Sequence, residues 1–331
     1  MSSSSSSWFS VNNTMAVYIV LGGLSLALTL PLLHVILFNK DRRARKEFMV
    51  IVFASLVDMS YIFVNIFNSF WRLSTNTSGV LRSECISHPS IFLSVIVAAL
   101  IAITPLAVAI DRLIVSVFGV WYYRQTASYA VCLCAVPIVL SFILGIVNYQ
   151  MIMTSDTARD LISGHCYMSG AVDPNFENFY YFFKWFCIVG SAFVWVLIVY
   201  WYNNHLTSRL IMCPLDHRSK IKEGYTVLGW TMMSSIFLYL LPDMALRYWP
   251  NKTLGAMTFL FSVIMVKLLL NVVFIVIHHK ELRQAYFAGL RCFKKNSVGV
   301  TSMGSVATNI PASTPSEHQQ ETQACLQWSE V

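Results

Sequence analysis

The stretch SIFLSVIVAALIAITPLAVAIDRLIVSVFGVWYYR, Ser90–Arg124, decides the fold. Ser90–Ile110 carries no charge and is long enough to cross a bilayer as a helix. A continuous apolar run of this length satisfies its backbone in lipid only as a helix, so strands are excluded. The run closes on Asp111-Arg112. Two opposite charges that close to hydrocarbon are costly, and they mark a polar interior or a function.

Six further runs have the same character: Met15–Phe38, Phe48–Trp71, Ser128–Tyr149, Asn178–Tyr202, Tyr225–Trp249 and Ala256–Ile277. The 331 residues are 56% hydrophobic and 12% charged, too little charge to cover a soluble domain. Mean hydropathy is +0.60. An aromatic share of 14% suits helices that end in Trp and Tyr at a bilayer interface. The expectation is an all-α membrane protein, a seven-transmembrane-helix bundle spanning 15–277. The N-terminus has neither a basic region nor a small-residue cleavage site, so the first helix is expected to be its own insertion signal.

Charge gives an orientation. The connections Asn39–Glu47, Gly119–Ala127, Asn203–Gly224 and His278–Asn296 together hold fifteen Lys and Arg, against four (Arg72, Arg82, Arg159, Lys252) on the other side. Cytoplasmic loops retain positive charge, which puts the N-terminus outside and the C-terminus in the cytoplasm of a plasma-membrane protein. The net charge of +7 is thus a topology signal and not a nucleic-acid footprint. Three Asn-X-Ser/Thr sequons, at Asn12, Asn76 and Asn251, all fall on the outer side and are candidate glycosylation sites. Of eight Cys, only Cys85 and Cys166 fall in outer loops, where an oxidising compartment favours one bridge over two free thiols.

The termini read as tails. Residues 1–14, with the Ser2–Ser7 run, form an extracellular tail of low complexity. The segment His279–Lys295 alternates basic and apolar residues at helical spacing, so 278–295 is expected as an amphipathic helix on the lipids of the inner leaflet. Cys292 near its end suits palmitoylation. From Asn296 to Val331 the chain is Ser, Thr and Gln rich and should be a disordered cytoplasmic tail. Its ten Ser/Thr residues suit kinases. Its last residues, Ser329-Glu330-Val331, suit strand addition in the groove of a PDZ protein. The long loop Gln150–Glu177 is acidic, and reads equally as a cap over a ligand site or as a solvated loop.

Polar groups inside the spans ask for partners. Asp58 lies mid-way along the second run, and Lys267 and Asn271 lie one turn apart on the seventh. One reading joins the three in an internal cluster. The other lets Lys267 snorkel, but it lies eleven residues before His278, roughly 16 Å of helix and too far to reach comfortably. Pro242 interrupts the sixth run and should bend it. Asp243 and Arg247 follow it, either neutralising each other or meeting a ligand. Lys184 either snorkels outward or meets an acidic ligand.

In order and spacing these features resemble the rhodopsin-like G-protein-coupled receptors. The carrying residues are Asp58, Ala109-Ile110-Asp111-Arg112-Leu113, Tyr122, Pro242 and Asn271, with the Cys85/Cys166 pair and the surface helix after the seventh run. The resemblance covers Met15 to Lys295. Departures are several. Leu113 stands where the family has Tyr, and Gly119 replaces the Pro of the second inner loop. The sixth run reads Tyr239-Leu240-Leu241-Pro242 without the usual Trp, and the seventh reads Asn271-Val272-Val273-Phe274-Ile275. The first run lacks the buried Asn and the fifth the usual Pro. Lys267 would then supply with its own ammonium the cation that the family's sodium site binds. Ile110–Arg124, with its Asp-Arg-Leu triplet and tyrosine-rich loop, is most similar to the nematode serpentine chemoreceptors, with the bc or sx class as the subfamily it suggests.

The resemblance implies a receptor for a small extracellular ligand that moves helix six outward about Pro242. Asp111, Arg112 and Tyr122 would couple it to a heterotrimeric G protein. The helix-three position where amine receptors carry Asp falls close to Ser94. Ser94, Lys184, Asp243 and Arg247 are therefore the candidate ligand residues, and an acidic ligand suits them. Rival readings are a secondary transporter, which would show internal inverted repeats, and a retinal-binding photoreceptor. In the latter the lysine sits two residues further outward, about 200° around the helix. No Gly-rich phosphate loop, nucleophile motif or metal-ligand cluster appears, so no enzyme, cofactor or metal is expected.

Overall fold

Each apolar run is a long helix in the computed structural model, which describes residues 11–43, 45–74, 79–162, 166–203, 215–248 and 254–288. The seven are α1 (Val11–Leu37), α2 (Lys46–Ser74), α3 (Pro89–Val117), α4 (Ala127–Thr154), α5 (Pro174–Trp201), α6 and α7 (Leu254–His278). α6 comes in three continuous pieces, Leu215–Ser235, a π-helical Ile236–Leu240 and Leu241–Tyr248. All seven contain a segment long and apolar enough to cross a membrane. The chain is an all-α seven-helix bundle with the character of a multi-pass membrane protein.

Several helices outrun their apolar stretches, because backbone hydrogen bonding continues past the segment that hydrocarbon selects. α1 starts at Val11, inside the expected tail, and so places the backbone of Asn12 in its first turn. α3 continues to Val117, so Asp111 and Arg112 lie within the helix and do not end it. α5 starts at Pro174 with Asp173 as its N-cap, whose carboxylate accepts from the Asn175 N–H at 2.9 Å. The sequons at Asn76 and Asn251, Cys292, the Ser2–Ser7 run and the C-terminal tail lie outside the described residues.

α3 is the central helix. It packs on α2, α4 and α5, while α1 closes against α2 and α7, and α6 lies between α5 and α7. Gly145 of α4 permits one of these close approaches: a Cβ there would stand 2.5 Å from Ile96 Cγ1 of α3. α6 departs from regular α-helical geometry next to Pro242. Pro242 has no N–H to give to the preceding turn, and the ladder widens into the π-helical turn just before it.

Cys85 and Cys166 form a disulfide at one end of the bundle, the bridged end. The connection between α4 and α5 is pinned there and is not a loose solvated loop. Its strand β2 (Leu161–Ile162) pairs antiparallel with β1 (Val80–Leu81). Buried Asn148 accepts from the Asp173 N–H at 2.9 Å and donates to the Ala171 carbonyl at 3.0 Å. Arg72 donates to the Cys166 carbonyl and Arg82 to the Val172 carbonyl, each at 3.1 Å.

The opposite end carries the Lys- and Arg-rich connections and is called the basic end. Residues 280–288 form a helix there, α8, after a break at His279. It does more than lie on a surface. Leu282 and Tyr286 are buried in a cluster with Leu32, Phe48 and Val276, and the Tyr286 hydroxyl donates to the Leu28 carbonyl at 3.2 Å. Burial raises the pKa of that hydroxyl. Glu281 holds Arg45 at 2.7 Å. Phe287 is exposed. The remainder of that segment, 289–295, lies outside the described residues.

Gly145→Val adds a branched side chain where α3 and α4 touch. We expect it to lower bundle stability by about 1–3 kcal/mol, read as a fall in the thermal unfolding midpoint of the purified protein.

Candidate functional site

A polar cluster sits between α2, α6 and α7. Residues four apart share a helix face, so Lys267 and Asn271 point the same way from α7, toward Asp58 of α2. Asn271 Nδ2 donates to Asp58 Oδ2 at 2.9 Å, and Ser234 Oγ of α6 donates to Asn271 Oδ1 at 3.2 Å. The Lys267 ammonium stands 3.9 Å from Asp58 Oδ1. Lys267 is 2% exposed and does not snorkel to either interface. Each charge offsets the other's lost hydration, which is what keeps both inside.

A second cluster lies at the basic end of α3. Adjacent helix residues diverge by about 100°, so Asp111 and Arg112 face different surroundings. Asp111 is fully buried and lies beside Tyr129 of α4. Arg112 Nε reaches back to Asp111 Oδ2 at 3.7 Å, and the arginine side chain is largely buried. Tyr122, on the short helix Gly119–Arg124, is buried and not displayed to a partner. Its ring meets Tyr129 edge-on at 5.5 Å. Burial and the neighbouring Asp111 carboxylate raise the pKa of the Tyr122 hydroxyl. Lys46 of α2 lies 4.5 Å over that ring and donates to the carbonyls of Tyr122 and Gln125. Tyr122 therefore fixes its loop to α2.

Between the two clusters runs a cavity of ≈ 430 Å³. Asp58, Lys267 and Asn271 form its floor. Arg45, Lys46 and Arg112 form its rim at the basic end, and Val50, Ile101, Val108, Leu228 and Val272 make apolar walls. Tyr225 of α6 also lines it, its hydroxyl 2.7 Å from Ser116 Oγ of α3.

The four candidate ligand residues at the bridged end do not converge on one space. Lys184 of α5 is buried and pairs with Asp243 of α6 at 3.2 Å. The Trp185 indole N–H also donates to Asp243, at 2.8 Å. Three tyrosine rings surround the Lys184 ammonium, those of Tyr180, Tyr181 and Tyr239 at 5.4, 4.8 and 5.6 Å. Arg247 pairs with Glu177 at 2.9 Å and donates to Asn178 at 3.1 Å, so it does not neutralise Asp243. Ser94 lies on another interface, accepting from Asn68 Nδ2 of α2 at 2.5 Å.

Sequence reasoning missed Lys46, Ser234, Tyr129 and Tyr225. Lys46 counted only as loop charge, and a tyrosine or serine inside an apolar run gives no local sign of its long-range partner. Among the described residues no group of three His, Cys, Asp or Glu is placed to hold a metal ion. No family model matches the chain, and no curated protein matches it.

Lys267→Met leaves the buried Asp58 carboxyl without its cationic partner, and should cost about 3–5 kcal/mol. The double variant Asp58→Asn, Lys267→Met removes both charges and should recover most of that loss. Thermal unfolding midpoints of the two purified variants check the pair.

Proposed function

We propose that the chain is a G-protein-coupled chemoreceptor of the plasma membrane, with the bridged end outside and the basic end in the cytoplasm. One observation carries the reading. The bundle holds a cavity at its basic end that Arg112 lines, while Asp111 beside it is fully buried. An arginine in that place can meet the carbonyls of a transducer's tail, since it presents a planar fork of donors. The surrounding Lys and Arg connections complement an anionic leaflet and an acidic partner face.

The switch follows from α6. At its outer end Asp243 is held to α5 by Lys184 and Trp185. Next to Asp243 are Pro242, which gives no N–H to the helix ladder, and the π-helical turn. Further in, Ser234 holds Asn271. A small acidic ligand that takes Asp243's place beside Lys184 releases the outer end of α6. The helix then pivots at the π turn and widens the cavity around Arg112. The ligand shifts this equilibrium only by its preference for the released arrangement.

Arg112→Ala should abolish ligand-evoked nucleotide exchange on a G-protein α subunit, with unchanged surface labelling of an N-terminal tag. Full exchange from that variant would refute the reading. Asp243→Asn keeps a side-chain acceptor for Trp185 and drops the charge that holds Lys184. It should raise ligand-independent exchange, measured in the same assay.

A further inference from the structure

The cavity at the basic end has cationic donors that the protein leaves unused. Lys267 carries three N–H donors. Among the described residues its ammonium has one ionic partner, Asp58 at 3.9 Å, and makes no hydrogen bond. Ser55, one turn before Asp58 on α2, is buried, and its hydroxyl has no partner. Both line the cavity floor. A buried polar group without a partner is costly, so the Ser55 hydroxyl, in one chamber with an ammonium that makes no hydrogen bond, points to something that fills both.

The rim repeats the pattern. Lys46 is occupied by two backbone carbonyls, and Arg45 by Glu281. Arg112 has five N–H donors. Its one ion pair among the described residues is with Asp111 at 3.7 Å, and no hydrogen bond leaves its guanidinium. Glu47 is the one acidic residue on this rim, against Arg45, Lys46 and Arg112. The floor is balanced, Lys267 against Asp58. The excess positive charge thus sits at the open end, where an anionic head keeps some hydration, and the closed end offers donors with no net charge, the Lys267 ammonium balanced by Asp58 and the Ser55 hydroxyl. Between them the walls are aliphatic. A volume of ≈ 430 Å³ is ordinary for a small-molecule pocket, which spans about 300–1,000 Å³.

We propose that this cavity binds a small organic acid: a carboxylate on Arg112, an apolar body along the walls, and a hydroxyl or carbonyl oxygen at the far end accepting from Lys267 and Ser55. Its occupant excludes the transducer from the same cleft and holds the receptor silent. Binding itself needs no transducer, so it stands or falls separately from the coupling reading.

The test uses the full chain in phosphatidylcholine nanodiscs and follows the unfolding midpoint by tryptophan fluorescence. The probes are 8-hydroxyoctanoate, octanoate and 1,8-octanediol. The hydroxy acid should raise the midpoint saturably, octanoate more weakly, and the diol not at all. Arg112→Gln should weaken the hydroxy acid about tenfold or more, the loss of a charge-assisted contact. Ser55→Ala leaves the charges in place and should weaken it severalfold. Discs doped with oleate separate the sources. A raised midpoint that 8-hydroxyoctanoate no longer moves assigns the acid to the leaflet, and an unmoved one assigns it to the aqueous phase. Equal shifts from acid and diol, a shift that never saturates, or full affinity in Arg112→Gln would overturn the proposal.

Discussion

The constraint on which the structure depends is that charge inside an apolar bundle must find its opposite within the bundle. Asp58 and Lys267 answer it between α2 and α7. Neither residue is tolerable alone at that depth, and the pair joins two helices that otherwise touch through few residues. Asn271 and Ser234 extend the tie to α6. α2, α6 and α7 therefore share one electrostatic knot, and movement of any of them strains the same contacts.

The two ends solve the same problem differently. At the bridged end the groups are saturated: Lys184 has a carboxylate and three aromatic faces, Arg247 has Glu177 and Asn178, and the long connection is pinned by Asn148 and a disulfide. At the basic end donors remain unused around an open volume. Saturated polar networks rigidify and specify one arrangement. The two ends thus differ in how completely their polar groups are used.

The helices were legible because hydrocarbon imposes a simple rule, and each of the seven runs exceeds the length that rule requires. Their ends were not, because an Asp173 cap or a continuation past Arg112 depends on hydrogen bonds and not on hydropathy. The meeting of Asp58, Lys267 and Asn271 was readable, since isolated polar residues in apolar runs have few partners to choose from. The partner of Asp243 was not. Arg247 is nearest in sequence, yet Lys184 on another helix holds it, and no local spacing encodes which helices are neighbours. Tyr122 shows the same limit: a tyrosine in a basic loop reads as displayed, and only the packing of Lys46 and Tyr129 shows it enclosed.

The π-helical turn in α6 has a geometric consequence. Ser234 and Asp243 are nine residues apart, which in an uninterrupted α-helix sets them about 180° out of phase. One of them would then point into lipid. A turn bonded five residues apart absorbs one extra residue, about 100° of rotation, and brings both toward the bundle axis, Ser234 to Asn271 and Asp243 to Lys184. The wide turn is a phase corrector: it lets one helix serve two inward-facing contacts that a regular helix could not present together.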